Sequence, residues 1–162
     1  MKNVKAIIFD LGGVILNIDY SLTITAFTKL GVKNAELLYS KKEQNHIFDK
    51  IEIGAITPDS FLASLQKHCA NADKNEIEKA WNSMLLDFPE SRLNYIQTLS
   101  KNYRLFLLSN TNDIHMKALR KKIGEKKWLK FCSLFDKIYL SHEIGFRNRI
   151  KKLFKLSWMK TT

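Results

Sequence analysis

The most informative stretch of this sequence is Val4-Lys5-Ala6-Ile7-Ile8-Phe9-Asp10-Leu11-Gly12-Gly13. Residues 4–9 are almost all apolar, which is typical of a strand buried on both faces of a parallel sheet. Asp10 ends the run, and the two glycines after it permit a tight turn and the close approach of a ligand to the backbone. We therefore expect a buried strand that carries an acidic residue at its carboxyl end.

Two further strands are predicted downstream. Tyr103–Leu108 is a second strongly apolar run that ends in Ser109-Asn110-Thr111-Asn112, and Lys137–Ser141 is the third strand. Helical patterns at Asp113–Ile123 and near Trp128–Phe135 separate these two strands. Strands that alternate with helices predict an α/β fold with a doubly wound, Rossmann-like parallel sheet.

A long helical region lies between the first and second strands. Its four helices are predicted at about 21–30, at about 35–50, from Pro58, and over Asn75–Leu86. This region is too long to be one crossover helix, so we interpret residues 18–87 as an inserted helical cap. Residues 1–17 and 88–147 then form a discontinuous α/β core, with a further helix from Pro89 to Lys101, and 148–162 form a basic tail.

The composition fits one globular domain with an insertion. The chain has 162 residues, of which 45% are hydrophobic and 27% are charged, which excludes collagen-like and low-complexity chains. Cys69 and Cys132 give neither a disulfide framework nor the paired spacing of a zinc site, so we expect reduced thiols in a cytoplasmic protein. No apolar run approaches the ~18 residues of a membrane-spanning helix, so no membrane partner is expected.

The net charge of +11 comes from the last third of the chain. Residues 1–112 contain 13 Lys/Arg and 12 Asp/Glu, whereas residues 113–162 contain 14 Lys/Arg and 4 Asp/Glu. A uniformly basic chain would suggest a nucleic-acid partner. Because the excess is local and no nucleic-acid-binding motif accompanies it, nucleic acid is not the expected partner.

Polar side chains follow the first two predicted strands where each strand ends. In open α/β sheets, ligands bind outside the carboxyl ends of the strands. There, Asp10 has the chemistry of a nucleophile or of a ligand for a hard cation such as Mg²⁺. The backbone N–H groups of Leu11 and Gly12 and the side chains of Ser109 and Asn110 can bind an anion. Taken singly, an acid after a strand or a Ser-Asn pair before a helix is more often a turn or capping residue.

The two strand ends together resemble a known family. Phe9-Asp10-Leu11-Gly12-Gly13-Val14, followed by Leu107-Leu108-Ser109-Asn110-Thr111-Asn112, is similar to the haloacid dehalogenase-like (HAD) hydrolases. The closest similarity is to their small sugar-phosphate phosphatases, which open with Asp-Leu-Gly-Gly or Asp-Leu-Gly-Asn. Glu52-Ile53-Gly54-Ala55-Ile56-Thr57 resembles the start of their helical cap insertion, and Ile138 through Gly145 resembles the approach to their third motif. The resemblance covers about residues 4–147.

The resemblance implies an enzyme that hydrolyses small phosphorylated metabolites such as sugar phosphates. Asp10 would attack phosphorus and form an aspartyl-phosphate, which water then hydrolyses. The Asp10 carboxylate and the Gly12 carbonyl would bind Mg²⁺, the only cofactor expected. Leu11, Gly12, Ser109 and Asn110 would bind the phosphate, and the cap would select the leaving group.

The sequence departs from the family pattern at two places. Most phosphatases of the family have a second Asp at the position of Gly12, which protonates the leaving alcohol, although the sugar-phosphatase branch tolerates its absence. After Gly145-Phe146-Arg147 the family places Lys-Pro, whose lysine neutralises the phosphate, and here Asn148 and Arg149 stand instead. The chain also lacks the later strands and paired acids of the family. We therefore expect activity that is absent or severely impaired.

We interpret residues 148–162 as the aberrant tail of a frameshifted, truncated gene product. Loss of one adenine from a lysine codon would explain the tail, because with suitable codons the restored frame begins with the missing Lys-Pro. In the family, the missing strands pair on the far side of the first strand. Without them, Val4–Phe9 becomes an exposed apolar edge, which predicts self-association.

Two alternative functions stay open at this point. Haloacid dehalogenation also begins with attack by an Asp and needs no second Asp, although the pairing of Asp10 with Ser109 fits phosphate better. The other alternative is a non-catalytic binding module whose basic tail, residues 147–160, contacts nucleic acid or anionic lipid. Phe154 and Trp158 among the Lys and Arg residues support that alternative.

Overall fold

The computed structural model describes residues 4–38 and 46–147, and three parallel strands of these residues form the central sheet. The strands are β1 (Ala6–Phe9), β2 (Arg104–Ser109) and β3 (Lys137–Leu140), in the order β1-β2-β3. Phe9 lies beside Leu107, and Ser109 lies beside Leu140. The carboxyl ends of all three strands therefore share one edge, and the predicted α/β fold with a parallel sheet is confirmed.

Helices connect and flank these strands. Within the described residues they are α1 (Tyr20–Lys29), α2 (Ala35–Leu38), α3 (His46–Glu52), α4 (Pro58–Gln66), α5 (Lys74–Asn82), α6 (Glu90–Leu99), α7 (Asp113–Ile123), α8 (Glu125–Cys132) and α9 (Ser141–Ile144). None of these helices has both the length and the apolar character needed to cross a membrane.

The helical boundaries differ from the predictions at two places. The helix expected at about 35–50 is described as two pieces, α2 and α3, and residues 39–45 between them lie outside the described part. The third strand ends at Leu140, because Ser141 begins the short helix α9 that the sequence pattern did not predict. The predicted basic tail, 148–162, also lies outside the described residues.

Local capping explains where the cap helices begin. Asp19 accepts from the Ser21 N–H at 2.9 Å and caps α1, while Thr57 caps α4 ahead of Pro58. At α5, Asp73 and Glu76 form a reciprocal capping box. These caps satisfy N–H groups that the first turn of a helix leaves without partners.

The buried hydrophobic residues form two clusters, one around the sheet and one mainly among the helices between β1 and β2. The sheet cluster contains Leu11, Ile15, Leu16, Met84, Leu85, Phe88, Leu93, Ile96, Leu105, Leu107, Met116, Leu119, Phe131, Phe135 and Leu140. The helical cluster contains Phe27, Val32, Ala35, Phe48, Ile51, Phe61, Leu62, Leu65, Ala72, Ile77, Ala80, Trp81 and Ile114. Helix α7 contributes to both, with Ile114 in the helical cluster and Met116 in the sheet cluster.

The chain enters and leaves the helical region through two adjacent segments. Ile18 pairs antiparallel with Leu85. The Asn17 N–H donates to the Asp87 carbonyl at 3.0 Å, and the Leu86 N–H donates to the Asn17 carbonyl at 2.9 Å. These bonds hold the two crossings between the sheet region and the helical region side by side.

Candidate active site

Asp10 is the first residue after β1, and its side chain is accessible at the carboxyl edge of the sheet. The Leu11 N–H donates to Asp10 Oδ1 at 2.7 Å. Partial burial raises the pKa of Asp10 above its ordinary value, while hydrogen bonds with the Leu11 N–H and the Ser109 side chain oppose this rise. Both hydrogen bonds favour the ionised carboxylate. Asp10 and Ser109, which lie far apart in sequence, are therefore neighbours.

The turn after β1 presents backbone rather than side chains to this edge. The Leu11 side chain is buried in the sheet cluster, so it offers no side-chain contact to a ligand. The Leu16 N–H donates to the Leu11 carbonyl at 2.9 Å, and the Gly13 N–H donates to the Leu16 carbonyl at 2.8 Å. Gly13 has φ of +75°, which favours glycine. The Leu11 N–H, predicted to bind phosphate, donates to Asp10 in this structure.

The end of β2 supplies the second group of polar residues. Ser109 is buried and Asn110 is exposed. Thr111 is fixed to the start of α9, because its N–H donates to Ser141 Oγ and that hydroxyl donates to the Thr111 carbonyl, both at 2.9 Å. Asn112 caps α7 by accepting from the His115 N–H at 3.0 Å. Since Asn112 is the capping residue, Ser109 and Asn110 are not needed for that role.

Three further polar residues, Arg147, Glu52 and Tyr20, were not predicted as site residues. Arg147 Nε lies 2.7 Å from Glu52 Oε2, and the same guanidinium pairs with Asp49, so this side chain links the last described residues to α3. Burial raises the pKa of Glu52, which the charge of Arg147 lowers and that of Asp49 raises. Arg147 was also counted in the basic tail of the binding-module alternative, but in the structure it binds the helical region instead.

Tyr20 is the third of these residues and begins α1. Partial burial raises its pKa first, the negative charges of Glu52 and Asp10 raise it further, and the charge of Arg147 lowers it. Tyr20 is therefore within electrostatic reach of both Asp10 and the Arg147–Glu52 pair. Glu52 and Arg147 each lie in a sequence segment that carries the family resemblance, whereas nothing in the sequence pattern distinguishes Tyr20.

The oxygen atoms at the end of β1 suit a hard cation. Among the described residues there is no cluster of three or more His, Cys, Asp or Glu side chains that could hold a metal by themselves. Mg²⁺, however, usually keeps several waters and is bound by one or two carboxylates together with substrate phosphate. The Asp10 carboxylate and the Gly12 carbonyl, two residues apart, are ligands of this kind, so the donor set fits Mg²⁺ held jointly with a phosphate.

Several known proteins are similar to this chain in sequence and in structure. A D-ribitol-5-phosphate phosphatase from Bacteroides thetaiotaomicron is 32% identical over 152 residues, which cover 93% of this chain and 74% of the relative. A HAD family enzyme from the same organism, solved in complex with magnesium and inorganic phosphate, has a TM-score of 0.85 at 34% identity, covering 97% of this chain and 78% of its own.

A HAD-like family hydrolase from Porphyromonas gingivalis has a TM-score of 0.79 at 26% identity, with 98% of this chain and 76% of that chain covered. No protein-family model matches the sequence. The similarity to these proteins extends over nearly the whole chain, including both strand ends that bear Asp10 and Ser109.

Proposed function

Because the chain belongs to the haloacid dehalogenase-like (HAD) family of hydrolases, we propose that it is a Mg²⁺-dependent phosphatase of small phosphorylated metabolites. The curated relative acts on D-ribitol 5-phosphate, which supports a sugar or polyol phosphate as the substrate class. The family membership agrees with the resemblance drawn from the two strand-end motifs. No feature of the described residues favours dehalogenation or a binding module over phosphate-ester hydrolysis.

The observation that carries the proposal is the proximity of Asp10 and Ser109, since the Ser109 side chain is near enough to lower the pKa of the Asp10 carboxyl. These residues follow β1 and end β2, and the parallel register brings them to one edge of the sheet. A carboxylate next to a hydroxyl and exposed backbone amides can receive a phosphoryl group, because the donors offset charge on its oxygen atoms. Asn110, the next residue, is exposed at the same edge.

In the first step Asp10 acts as the nucleophile. One carboxylate oxygen forms a bond to phosphorus while the bond from phosphorus to the ester oxygen breaks, and the departing alkoxide takes a proton. Ser109, Asn110 and the backbone N–H of Gly12 hold the phosphoryl oxygens during this transfer. Bound by the Asp10 carboxylate and the Gly12 carbonyl, Mg²⁺ would supply positive charge next to the phosphate.

In the second step water attacks the aspartyl-phosphate, which releases inorganic phosphate and regenerates the Asp10 carboxylate. Position 12 is a glycine and not a second carboxylate. The proton for the leaving group therefore comes from water or from another group around the bound substrate. General acid catalysis typically contributes roughly 10²–10⁴-fold. The lack of this acid is therefore expected to slow the hydrolysis of alkyl phosphates more than that of p-nitrophenyl phosphate.

The assay that tests this function uses p-nitrophenyl phosphate and D-ribitol 5-phosphate in the presence of Mg²⁺. We expect hydrolysis that requires Mg²⁺ and falls by about 10³-fold or more in Asp10→Asn. Asp113→Asn, at the start of α7, is the matched control, because it removes a carboxylate outside the proposed mechanism. Activity that survives in Asp10→Asn would show that a different group performs the chemistry.

We propose in addition that turnover is several orders of magnitude below that of the Bacteroides phosphatase. This expectation rests on Asn148-Arg149, which follow Arg147 where the family pattern has Lys-Pro. Without that lysine, the negative charge of Asp10 and the phosphate is less well neutralised. The double substitution Asn148→Lys with Arg149→Pro is expected to raise kcat, whereas the control Arg149→Pro alone is not. Equal kcat values for this chain and the Bacteroides phosphatase would contradict the proposal.

Three further features belong to the same proposal. Residues 1–17 and 88–147 act as the catalytic core, and 18–87 act as a cap that selects the leaving group. The two hydrophobic clusters and the paired crossings at Asn17 and Asp87 support this division. The protein works in the cytoplasm, where phosphorylated metabolites occur. It self-associates through the exposed apolar edge at β1, where Ile8 is 48% exposed.

A further inference from the structure

Three side chains form a polar group that the proposed chemistry does not use. Tyr20 begins α1, Glu52 ends α3, and Arg147 follows α9. Two of them belong to the cap and one to the core. Gly54, two residues after Glu52, packs against His142 of α9. Because Ser141 of the same helix bonds to Thr111 just after β2, this group lies at the carboxyl edge of the sheet.

The Arg147 guanidinium fixes the position of Glu52. Its Nε lies 2.7 Å from Glu52 Oε2, and its second ion pair is with Asp49, which lies one helical turn earlier on α3. The Glu52 side chain is 25% exposed. Arg147 therefore orients this side chain while part of it stays accessible to a ligand. One guanidinium and two carboxylates leave one net negative charge at this place.

Tyr20 offers a hydroxyl on the other cap helix of the site. Its side chain is 56% exposed, and it follows directly after Asp19, which caps α1 and ends the crossing from the core. The charges of Asp10, Glu52 and Arg147 all act on its hydroxyl, so Tyr20 lies within electrostatic reach of the nucleophile and of Glu52. A phenol and a carboxylate next to a phosphoryl site are suitable partners for substrate hydroxyl groups.

We infer that the Tyr20 hydroxyl and the Glu52 carboxylate bind the hydroxyl groups of an uncharged, polyhydroxylated leaving group, with Arg147 as the positioning residue for Glu52. This inference rests on the proposed phosphatase function and specifies its substrate class. The net negative charge of the Arg147–Asp49–Glu52 group repels a second anionic group on the substrate. The site therefore prefers the phosphates of sugars and polyols over those of hydroxy acids.

The test measures binding separately from turnover. In an Asp10→Asn background with Mg²⁺, calorimetry gives the Kd of D-ribitol 5-phosphate, of 3-phosphoglycerate and of inorganic phosphate. We expect Tyr20→Phe to weaken ribitol phosphate binding by about 5-fold and Glu52→Gln by about 10-fold, as for the loss of a neutral and a charged hydrogen bond. The Kd of inorganic phosphate should stay within about 2-fold, because these residues do not touch the phosphoryl group.

The ratio of the Kd values of 3-phosphoglycerate and ribitol phosphate is a second readout. A purely structural role for these residues would leave this ratio unchanged. Glu52→Gln should strengthen the binding of 3-phosphoglycerate relative to ribitol phosphate, because it removes a repelling charge. Tyr20→Phe removes no charge and should not strengthen the binding of 3-phosphoglycerate. Arg147→Gln should lower the preference for ribitol phosphate over inorganic phosphate, and Arg147→Lys should retain part of it. Tyr95→Phe, an exposed tyrosine on α6, is the control for the loss of a hydroxyl and should change nothing.

The outcomes separate this inference from the proposed function. Two results would overturn the inference even if the chain hydrolyses phosphate esters. One is ribitol phosphate that binds no better than inorganic phosphate, and the other is a ratio of their two Kd values that neither Tyr20→Phe nor Glu52→Gln changes. Equal weakening of all three ligands would assign these residues to folding and would overturn it as well. Selective binding that the variants abolish, without any turnover by the unsubstituted chain, would support the inference and overturn the phosphatase function alone.

Discussion

Gly12 is the residue at which an acid can be added to the site with the least disturbance. It does not have a positive φ, and a Cβ there would meet Ile18 Cδ1 at 3.2 Å. That atom is the end of a flexible side chain, so a small rotation of Ile18 accommodates the new atom. A side chain at position 12 would then lie two residues after Asp10, where most phosphatases of the family carry their second Asp.

Gly12→Asp is therefore expected to increase hydrolysis of alkyl phosphates by at least about 10-fold, which is below the roughly 10²–10⁴-fold typical of a well-placed general acid. The hydrolysis of p-nitrophenyl phosphate, whose leaving group needs little protonation, should gain less. Gly12→Asn is the matched control, because it adds nearly the same volume without an acid. Equal kcat values for the Asp and Asn variants would show that no proton is delivered from this position.

Residues at strand ends could be predicted as site residues from the sequence, whereas residues brought together by tertiary packing could not. Asp10 and Ser109 could be placed together because both follow apolar strands and parallel strands end at one edge. The association of Tyr20 with Glu52 depends on how α1 and α3 pack over the sheet, which no local pattern encodes. The helix-capping role of Asn112, rather than Ser109, is a similar detail of the loop.

At the scale of elements, the connection between α3 and α4 is fitted closely against α9. Gly54 has φ of +68°, and a Cβ there would lie 2.3 Å from the His142 carbonyl oxygen. The contact is with backbone, so neither side can move without shifting an element. Arg147 and Glu52 form an ion pair close to the same place, which makes this a fixed contact between the cap and the core.

Gly54→Ala is expected to lower the free energy of unfolding by at least about 3 kcal/mol, as the sum of left-handed strain and a backbone overlap. Gly145→Ala is the matched control: Gly145 has φ of +75°, but nothing lies within 4 Å of a Cβ there. Strain alone should cost the control about 1 kcal/mol. Urea unfolding followed by tryptophan fluorescence measures both values, and equal losses would mean that the contact with α9 relaxes easily.

Elements with strong sequence signals were predicted well, and short ones were not. The apolar run and the Asp113 start predicted β2 and α7 to within one residue at each end, and Pro58 predicted the start of α4. Helix α9 has only four residues, and it forms because the Ser141 hydroxyl bonds to the backbone of Thr111 on the neighbouring strand end. That contact is long-range, so the local pattern extended the strand to Ser141 instead.

Across the whole molecule, one buried histidine lies between the helical region and the sheet region. The His115 ring on α7 stacks on Trp81 of α5, with ring centroids 4.9 Å apart. Its Nδ1 lies 2.8 Å from Asn82 Oδ1, which places the proton on Nδ1. Burial lowers the pKa of His115 from 6.5 to about 3. The folded protein therefore holds this ring neutral at pH values where the unfolded chain protonates it.

Stability should consequently decrease as the pH falls from about 6.5 towards about 3, by up to about 1.4 kcal/mol per pH unit from this group. The sign follows because the unfolded state binds the additional proton. His115→Phe preserves a ring against Trp81 and should flatten this dependence, whereas His68→Gln, an exposed histidine, should not. Urea unfolding at several pH values tests this, and parallel curves for the chain and His115→Phe would contradict the assignment.

The distribution of charge and of exposed apolar surface sets how whole molecules interact. The basic excess was correctly located in the last third by counting, but the roles of single charges were not predictable. Arg120 pairs with Glu125, Lys127 pairs with Glu90, and Arg147 pairs with two carboxylates of the cap. The predicted exposure of the first strand, by contrast, is visible directly. In the sheet of the described residues β1 is an edge strand, and Ile8 is 48% exposed.

An apolar edge strand can pair with the same strand of a second molecule, since its outer N–H and C=O groups are available to another chain. We expect sedimentation velocity to show species larger than a monomer that increase with protein concentration. Ile8→Lys places a charge on this strand and should shift the distribution towards monomer. Leu129→Lys is the control, because Leu129 is a comparably exposed apolar residue on α8. If both lysine variants reduce association equally, net charge rather than the edge of β1 controls it, and a monomer at every concentration would exclude pairing altogether.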